Sequence, residues 1–368
     1  IKNLPLLHVH SEYSNTDSVV SVEDWVLWAY KNNAKAVAFP DHHWAASLYK
    51  SINFKAVADR IKKIHKVSVP EGAVTIVPAI SINVSVTGNP MDHFRLNAWA
   101  VSNQGYFNLL KLSSLGWDKA IEDSDVKMAV VHIDEVAKYK EGVVFGSACD
   151  KGLIAYLFLR ESKDIRLEVD KVRKKLGSLI LELLPIDVTK HFGKGIGFRS
   201  FQTTTNLTES VNQIVADLID SGKYDFIVSS AAHYIDQDDK VLQDVVSKSS
   251  FKDKRFFYES RHQRPMDEQY AILKRHLKNW MTLDKIELAR STADKIVDEA
   301  SKISIKHEYH LPKIPIPESI SSRTDNYDKQ LYLLLMAKIK EHGRWSDDPE
   351  YVSRFKKELD VIWKNSRL

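Results

Sequence analysis

His8 and His10 stand two residues apart at the end of the apolar run LPLLHVH, so on a strand both imidazoles leave the same face. Neutral imidazole is a common ligand of zinc and other transition ions, and two on one face suit either a metal or a structural pair. Glu12 and Asp17 follow closely, and the segment PDHH supplies Asp41, His42 and His43 at the end of the next predicted strand. Cys149 and His233 end two further predicted strands. Taken singly, each has a plain structural reading: His233 as a capped or core histidine, Cys149 as a small buried hydrophobe, His43 as solvated surface. Taken jointly, imidazole, carboxylate and thiol groups at several strand ends point to one shared pocket, provided the strands form a barrel or a single sheet.

The elements that must carry these groups are readable in outline. LPLLHVH, AKAVAFPDHH, AVTIVPAISINVSV, RLNAWAVS, GVVFGSAC, SLILELLPID and YDFIVSSAAHY read as strands rich in Val, Ile, Leu and Phe, with helical patterns such as 22–32 and 47–66 between them. Strands alternating with helices predict βα units wound into a parallel sheet or barrel, with chemistry gathered at strand ends. From 267 to 302 the apolar spacing is helical. Pro312, Pro315 and Pro317 then interrupt regular structure and predict a linker, and helices are expected over 325–340 and 349–364.

Composition bounds the function. The 368 residues, 43% hydrophobic, suffice for one large domain and a smaller appendage. A net charge of +4, from 53 basic and 49 acidic residues, permits nucleic-acid binding without indicating it. The single cysteine excludes an internal disulfide and suits a reducing cytosol. Without a membrane-length apolar run or a signal-peptide pattern, a soluble, cytoplasmic protein is expected. Ile1 stands where a start methionine would be, which suits a processed or trimmed chain. GKGIG at 193–197 lacks the Lys-Ser/Thr of a P-loop and reads as a loop. RIKKIHK and KVRKKLG read as solvated helix faces, and Trp25, Trp28, Trp44 and Trp99 as core or rim packing.

HVHSEYSNTDS, PDHH, SNQGYFNLLKLSSLGW, GSACDKG and SAAHY, in this order, resemble the motifs of the PHP domain of bacterial, C-family DNA polymerase III alpha subunits. LDKIELARSTADKIVDEAS, HLPKIPIP and YVSRFKKELDVIWKN resemble the segments that follow that domain and open the polymerase palm. The resemblance implies an α/β fold: a PHP-type distorted (β/α)7 barrel over 1–265, a helical segment packed on it over 266–310, a Pro-rich linker over 311–324, and the helical start of the palm over 325–368. It carries over His8, His10, Asp17, His42, Cys149 and His233 as ligands of zinc or manganese. Three positions depart from the pattern: Ser81 (or Ile80) stands for a Glu, Arg95 (with His93 two residues earlier) for a His, and Ala231 for an Asp.

Loss of carboxylates removes charge compensation and bridging oxygens, and an arginine repels a cation, so a full multi-metal cluster is not expected. The resemblance implies that the palm aspartates holding magnesium lie beyond Leu368, so that this stretch does not polymerise DNA alone. The remainder of the alpha subunit, in the same or a separate polypeptide, DNA and a proofreading exonuclease subunit are the implied partners. Two readings of the PHP domain itself stay open. One is a metal-dependent 3′–5′ exonuclease or phosphoesterase; the other, favoured by the departures at Ser81, Arg95 and Ala231, is a non-catalytic module for stability and partner docking. A free-standing histidinol-phosphate-type phosphatase is argued against by the palm-like C-terminal segment.

Overall fold

The computed structural model describes residues 1–14, 17–42, 45–123, 126–187, 206–250, 261–306, 314–342 and 348–365. His43, Trp44, the GKGIG segment and Pro312 lie outside these residues. The chain divides into two compact units, Ile1–Ile305 and Lys306–Leu368.

The first unit is mixed α/β. Its strands are β1 (Ala36–Ala38), β2 (Asp41–His42), β3 (Thr75–Val77), β4 (Ala79–Ser85), β5 (Phe94–Ala100), β6 (Ile121–Asp123), β7 (Val126–Met128), β8 (Val131–His132), β9 (Val143–Gly146), β10 (Leu181–Leu183) and β11 (Phe226–Val228). The largest sheet has the order β2-β4-β5-β9 with β8 beside β4, and β1-β3, β10-β11 and β6-β7 form separate pairs. Pro78 separates β3 from β4, consistent with its missing N–H donor. The run LPLLHVH makes only single parallel bridges, Leu6 to Val37 and Val9 to Ala232, and a further bridge joins Gly146 to Ile180. Among the described residues no sheet closes into a barrel.

The expectation of an all-parallel arrangement needs correction. β5 runs antiparallel to both β4 and β9. The loop from Ser85 to Phe94 is shorter than the roughly dozen residues that a parallel crossover requires, so β4 can return only as its antiparallel neighbour.

The helices show why they form and what they cover. Val22–Lys31 starts at Ser21, whose side chain accepts from the Asp24 N–H; Glu23 and Asp24 occupy the positive end and Lys31 the negative one. Such a cap contributes about 1 kcal/mol. Val22, Trp25, Val26 and Ala29 fall on one face at helical spacing and are buried. The predicted 47–66 helix is two, Ala46–Ser51 and Phe54–His65, with Asn53 capping the second. A helix not read from sequence covers Asn103–Asp118, while the 267–302 stretch read as helical is two helices, Met266–Leu277 and Leu283–Ala300, across a short 3-10 turn at Lys278–Trp280. In the second unit, helices occupy Glu318–Ser321, Tyr327–His342 and Pro349–Asn365.

Two buried tryptophans do more than fill the core. The Trp25 indole donates to the His10 carbonyl at 2.9 Å and the Trp99 indole to the Leu7 carbonyl at 2.8 Å, fixing the backbone of the histidine-bearing segment from both sides.

Candidate functional site

His8, His10, His42 and His233 come together although they arise from three separate regions of the chain. The rings of His10 and His42 have centroids 4.6 Å apart, those of His10 and His233 4.6 Å, and those of His8 and His10 5.2 Å. Beside them a cleft is lined by His10, Asp17, Arg95, Cys149, Asp150, Lys151, His233 and Arg261, with about 250 Å³ of empty space counting the portion open to solvent. The turns that deliver two of its walls carry non-glycine residues in the left-handed region, Ala148 at φ 61° and Ala231 at φ 45°. That region costs an alanine about 1–2 kcal/mol. Aspartate and asparagine adopt it more readily, so Ala231 departs from the family pattern at a position where the backbone itself would accept Asp.

Three of the four imidazoles are oriented through Nδ1. His8 Nδ1 lies 2.7 Å from Glu182 Oε2, His10 Nδ1 lies 3.1 Å from Ser14 Oγ, and His233 Nδ1 donates to the Asp17 carbonyl at 2.8 Å. Ser14 in turn donates to Asp41 Oδ1, which also accepts from the Ser11 N–H, while Asp41 Oδ2 accepts from the Ser11 hydroxyl. Asp41 therefore organises the SEYS turn beneath His10 and does not belong to the cleft wall; burial pushes its carboxyl up to about 6 against these hydrogen bonds. Glu12 is exposed and also lies outside the cleft.

His42 differs. Its Nε2 lies 2.8 Å from Asp17 Oδ2 and 3.0 Å from Arg95 Nη1, while its Nδ1 is buried with no hydrogen-bond partner among the described residues. One ring nitrogen serves only one of these neighbours. The shorter contact, to a carboxylate, assigns the proton to Nε2, donated to Asp17, with the Arg95 guanidinium standing beside the pair. Burial and then Arg95 lower His42 to about 4. Burial, followed by Arg261, lowers His233 to about 3, and burial with the neighbouring histidines lowers His10 well below its ordinary value. All three rings are neutral at pH 7. Burial alone would raise the Asp17 carboxyl, but the hydrogen bond from His42, with the nearby Lys151 cation, holds it far below the usual carboxylate range.

Whether these groups fit a metal can be judged from the donors themselves. Oriented imidazoles are what a metal site requires. Against this, Asp17 and Nε2 of His42 are committed to each other, and Arg95 occupies the space next to them. Burial and the Asp150 carboxylate push the Cys149 thiol up to about 11, leaving it neutral rather than a thiolate donor. Three cationic side chains, Arg95, Lys151 and Arg261, line the cleft against two carboxylates, Asp17 and Asp150. Among the described residues, no group of three His, Cys, Asp or Glu side chains is arranged to hold a metal ion. The donor set as it stands does not fit a metal cluster.

The three departures from the family pattern have definite places. Ser81 is buried in β4, in register with His42 on one side and Asn97 on the other. Arg95, the second residue of β5, lines the cleft, its N–H donating to the Lys151 carbonyl at 2.9 Å. His93, the alternative to Arg95, instead directs Nδ1 to the Pro90 carbonyl at 2.9 Å. Ala231 is fully buried.

Sequence reasoning missed Glu182, Asp150, Lys151 and Arg261. Glu182, 0% exposed, receives the Asn97 amide at 2.9 Å and the Ala148 N–H at 2.8 Å in addition to His8. Burial favours its neutral form, but the charge and hydrogen bond of His8, with Ser229 and Ala148, hold the carboxyl below its ordinary range. A lone charge inside the apolar run LILELL was the available signal, since an unpaired carboxylate does not persist there. Arg261, ion-paired with Asp150 at 2.7 Å, left no comparable trace.

The class now follows: the PHP domain family model matches residues 7–185, and this region of the chain is a PHP domain. The relatives are more particular. The DNA polymerase III alpha subunit of Aquifex aeolicus is 25% identical over 99% of this chain and 30% of its own length. That of Bacillus subtilis is 22% identical over 97% of this chain and 28% of its own, and that of Borreliella burgdorferi 25% identical over 65% and 19%. The chain is thus homologous, at low identity, to DNA polymerase III alpha subunits over nearly its whole length, and it spans less than a third of theirs. No described helix is long and apolar enough to cross a membrane.

Proposed function

We propose that this chain is the N-terminal PHP module of a cytoplasmic replicative DNA polymerase, with a metal-poor pocket that serves stability and partner docking rather than nuclease chemistry. The observation that carries this reading is the Arg95 guanidinium, 3.0 Å from His42 Nε2 within the histidine cluster, in a cleft that also holds Lys151 and Arg261. A cation there repels a divalent ion at the position where the resemblance calls for a ligand. Its partners are the remainder of the alpha subunit, DNA, and a separate proofreading exonuclease subunit. The distorted (β/α)7 arrangement belongs to the same proposal, supported by the parallel bridges that tie Leu6 and Val9 to neighbouring strands. Magnesium belongs to the palm carboxylates of the polymerase, not to this region.

The competing reading is a manganese- or zinc-dependent exonuclease held by His8, His10, Asp17, His42, Cys149 and His233. It is favoured by one feature, the orientation of three imidazoles through Nδ1. The test is digestion of 3′-labelled single-stranded DNA with added manganese or zinc, using a His8→Ala/His10→Ala variant as control. The proposal expects no difference between the two proteins. Activity present in the parent chain and lost in the variant would establish the exonuclease instead.

A further inference from the structure

We infer that the cleft binds a phosphate-type oxyanion directly through Arg95 and Lys151, without a metal ion, so that side-chain cations take the place that bridging metals would occupy; this rests on the metal-poor reading above. The first support is placement. The Arg95 N–H donates to the Lys151 carbonyl at 2.9 Å, and a bridge continues from Arg95 to Gly152, so the backbone sets these two cationic residues side by side on the cleft wall.

The second is charge. The lining contributes Arg95, Lys151 and Arg261 against Asp17 and Asp150. Arg261 is paired with Asp150 at 2.7 Å and Asp17 with His42 at 2.8 Å. The Arg95 guanidinium stands 3.0 Å from His42 Nε2, whose proton goes to Asp17, and forms no ion pair with a carboxylate among the described residues. The lining therefore carries one positive charge beyond what its own carboxylates neutralise, and a partly enclosed cation gains more from an anion than it would in water.

The third is shape. A guanidinium offers a planar fork suited to two oxygens of a phosphate, and an ammonium adds a point charge to a third. The cleft opens to solvent, so an anion can reach them. Free inorganic phosphate and the terminal phosphate of a nucleic-acid strand present the same chemistry. Bound anion stabilises the folded PHP domain by linkage, since the unfolded chain has no such site.

The experiment is calorimetric titration of the whole chain in EDTA at constant ionic strength. Ligand arms are inorganic phosphate, a 5′-phosphorylated dinucleotide and the same dinucleotide without the phosphate; thermal unfolding is followed in parallel. Saturable binding of a phosphate-bearing ligand, a raised Tm, and at least tenfold weaker binding in both Arg95→Gln and Lys151→Met are expected, with Arg95→Lys retaining some of the affinity. Lys151→Met keeps the test decisive if Arg95→Gln fails to fold. Preference for the phosphorylated dinucleotide over inorganic phosphate assigns the site to a strand terminus, and the reverse assigns it to the free ion. No binding in EDTA or with added metal overturns the inference and leaves the metal-poor module standing. Binding that requires manganese or zinc overturns both. Binding unchanged by either charge-removing substitution overturns the inference alone.

Discussion

Replacing Glu182 by leucine removes a carboxylate that is 0% exposed and accepts from His8 at 2.7 Å, the Asn97 amide at 2.9 Å and the Ala148 N–H at 2.8 Å. Leucine nearly fills the same volume, so a cavity contributes little. What remains is a set of buried donors with no acceptor. Removing one member of a buried, hydrogen-bonded charge pair costs about 3–5 kcal/mol. Against a typical domain stability of about 5–15 kcal/mol, that is a large fraction of the whole. Glu182→Gln keeps an acceptor oxygen and loses the charge assistance, for about 1.5–3 kcal/mol. Urea unfolding followed by circular dichroism reads both as a lower midpoint at unchanged slope.

A double-mutant cycle with His8→Leu isolates the pair, because removing both partners leaves neither unsatisfied. The double variant should be less destabilised than the two single variants together by about 2–3 kcal/mol. Should Glu182→Leu lie within about 1 kcal/mol of the parent chain, or the cycle show no coupling, Glu182 is not what anchors His8 and the reasoning fails.

Gly146 sits where an added Cβ would come within 2.4 Å of the Trp99 ring and 2.5 Å of Glu182 Oε1, so Gly146→Ala should cost about 1–3 kcal/mol, read as a lower urea midpoint; a neutral effect would contradict the tight packing. Stability should also fall on acidification. His42 and His233 have pKa values depressed to about 4 and about 3 from 6.5, so their contribution is present above pH 6.5 and lost as pH falls through those values. Asp41, raised to about 6 from 3.8, acts in the opposite sense, its share being present below pH 3.8 and lost as pH rises through 6, and it offsets the histidines incompletely. Unfolding free energies from urea titrations at pH 7.5 and pH 5.0 should differ by an amount on the order of a few kcal/mol in favour of pH 7.5, and equal free energies would refute neutral burial of these rings.

Much of the site was legible because strand-end logic needs only approximate strands. The ends of apolar runs offer His8, His10, Glu12, Asp17, Asp41, His42, His43, Cys149 and His233, the resemblance selects His8, His10, Asp17, His42, Cys149 and His233 from them, and the structure gathers the four histidine rings of that set beside a cleft that Asp17 and Cys149 line. The antiparallel course of β5 was not read, although the short loop before Phe94 already forbade a crossover. LPLLHVH has the composition of a strand but pairs only through single bridges at Leu6 and Val9; its histidine geometry is held by Trp25 and Trp99 instead. Asp41 looked like a ligand because carboxylates beside histidines often are, whereas its partners, Ser11 and Ser14, are ordinary turn residues with no mark of their own. Arg261 reaches the cleft from far along the chain, and no local pattern encodes such a contact.

Metal content per chain tests the central claim most directly. The purified chain is incubated with manganese or zinc, passed through a desalting column and measured by inductively coupled plasma mass spectrometry beside a His8→Ala/His10→Ala variant. The account predicts well under one ion per chain, with no difference between the two proteins; two or more ions per parent chain, lost in the variant, would contradict it.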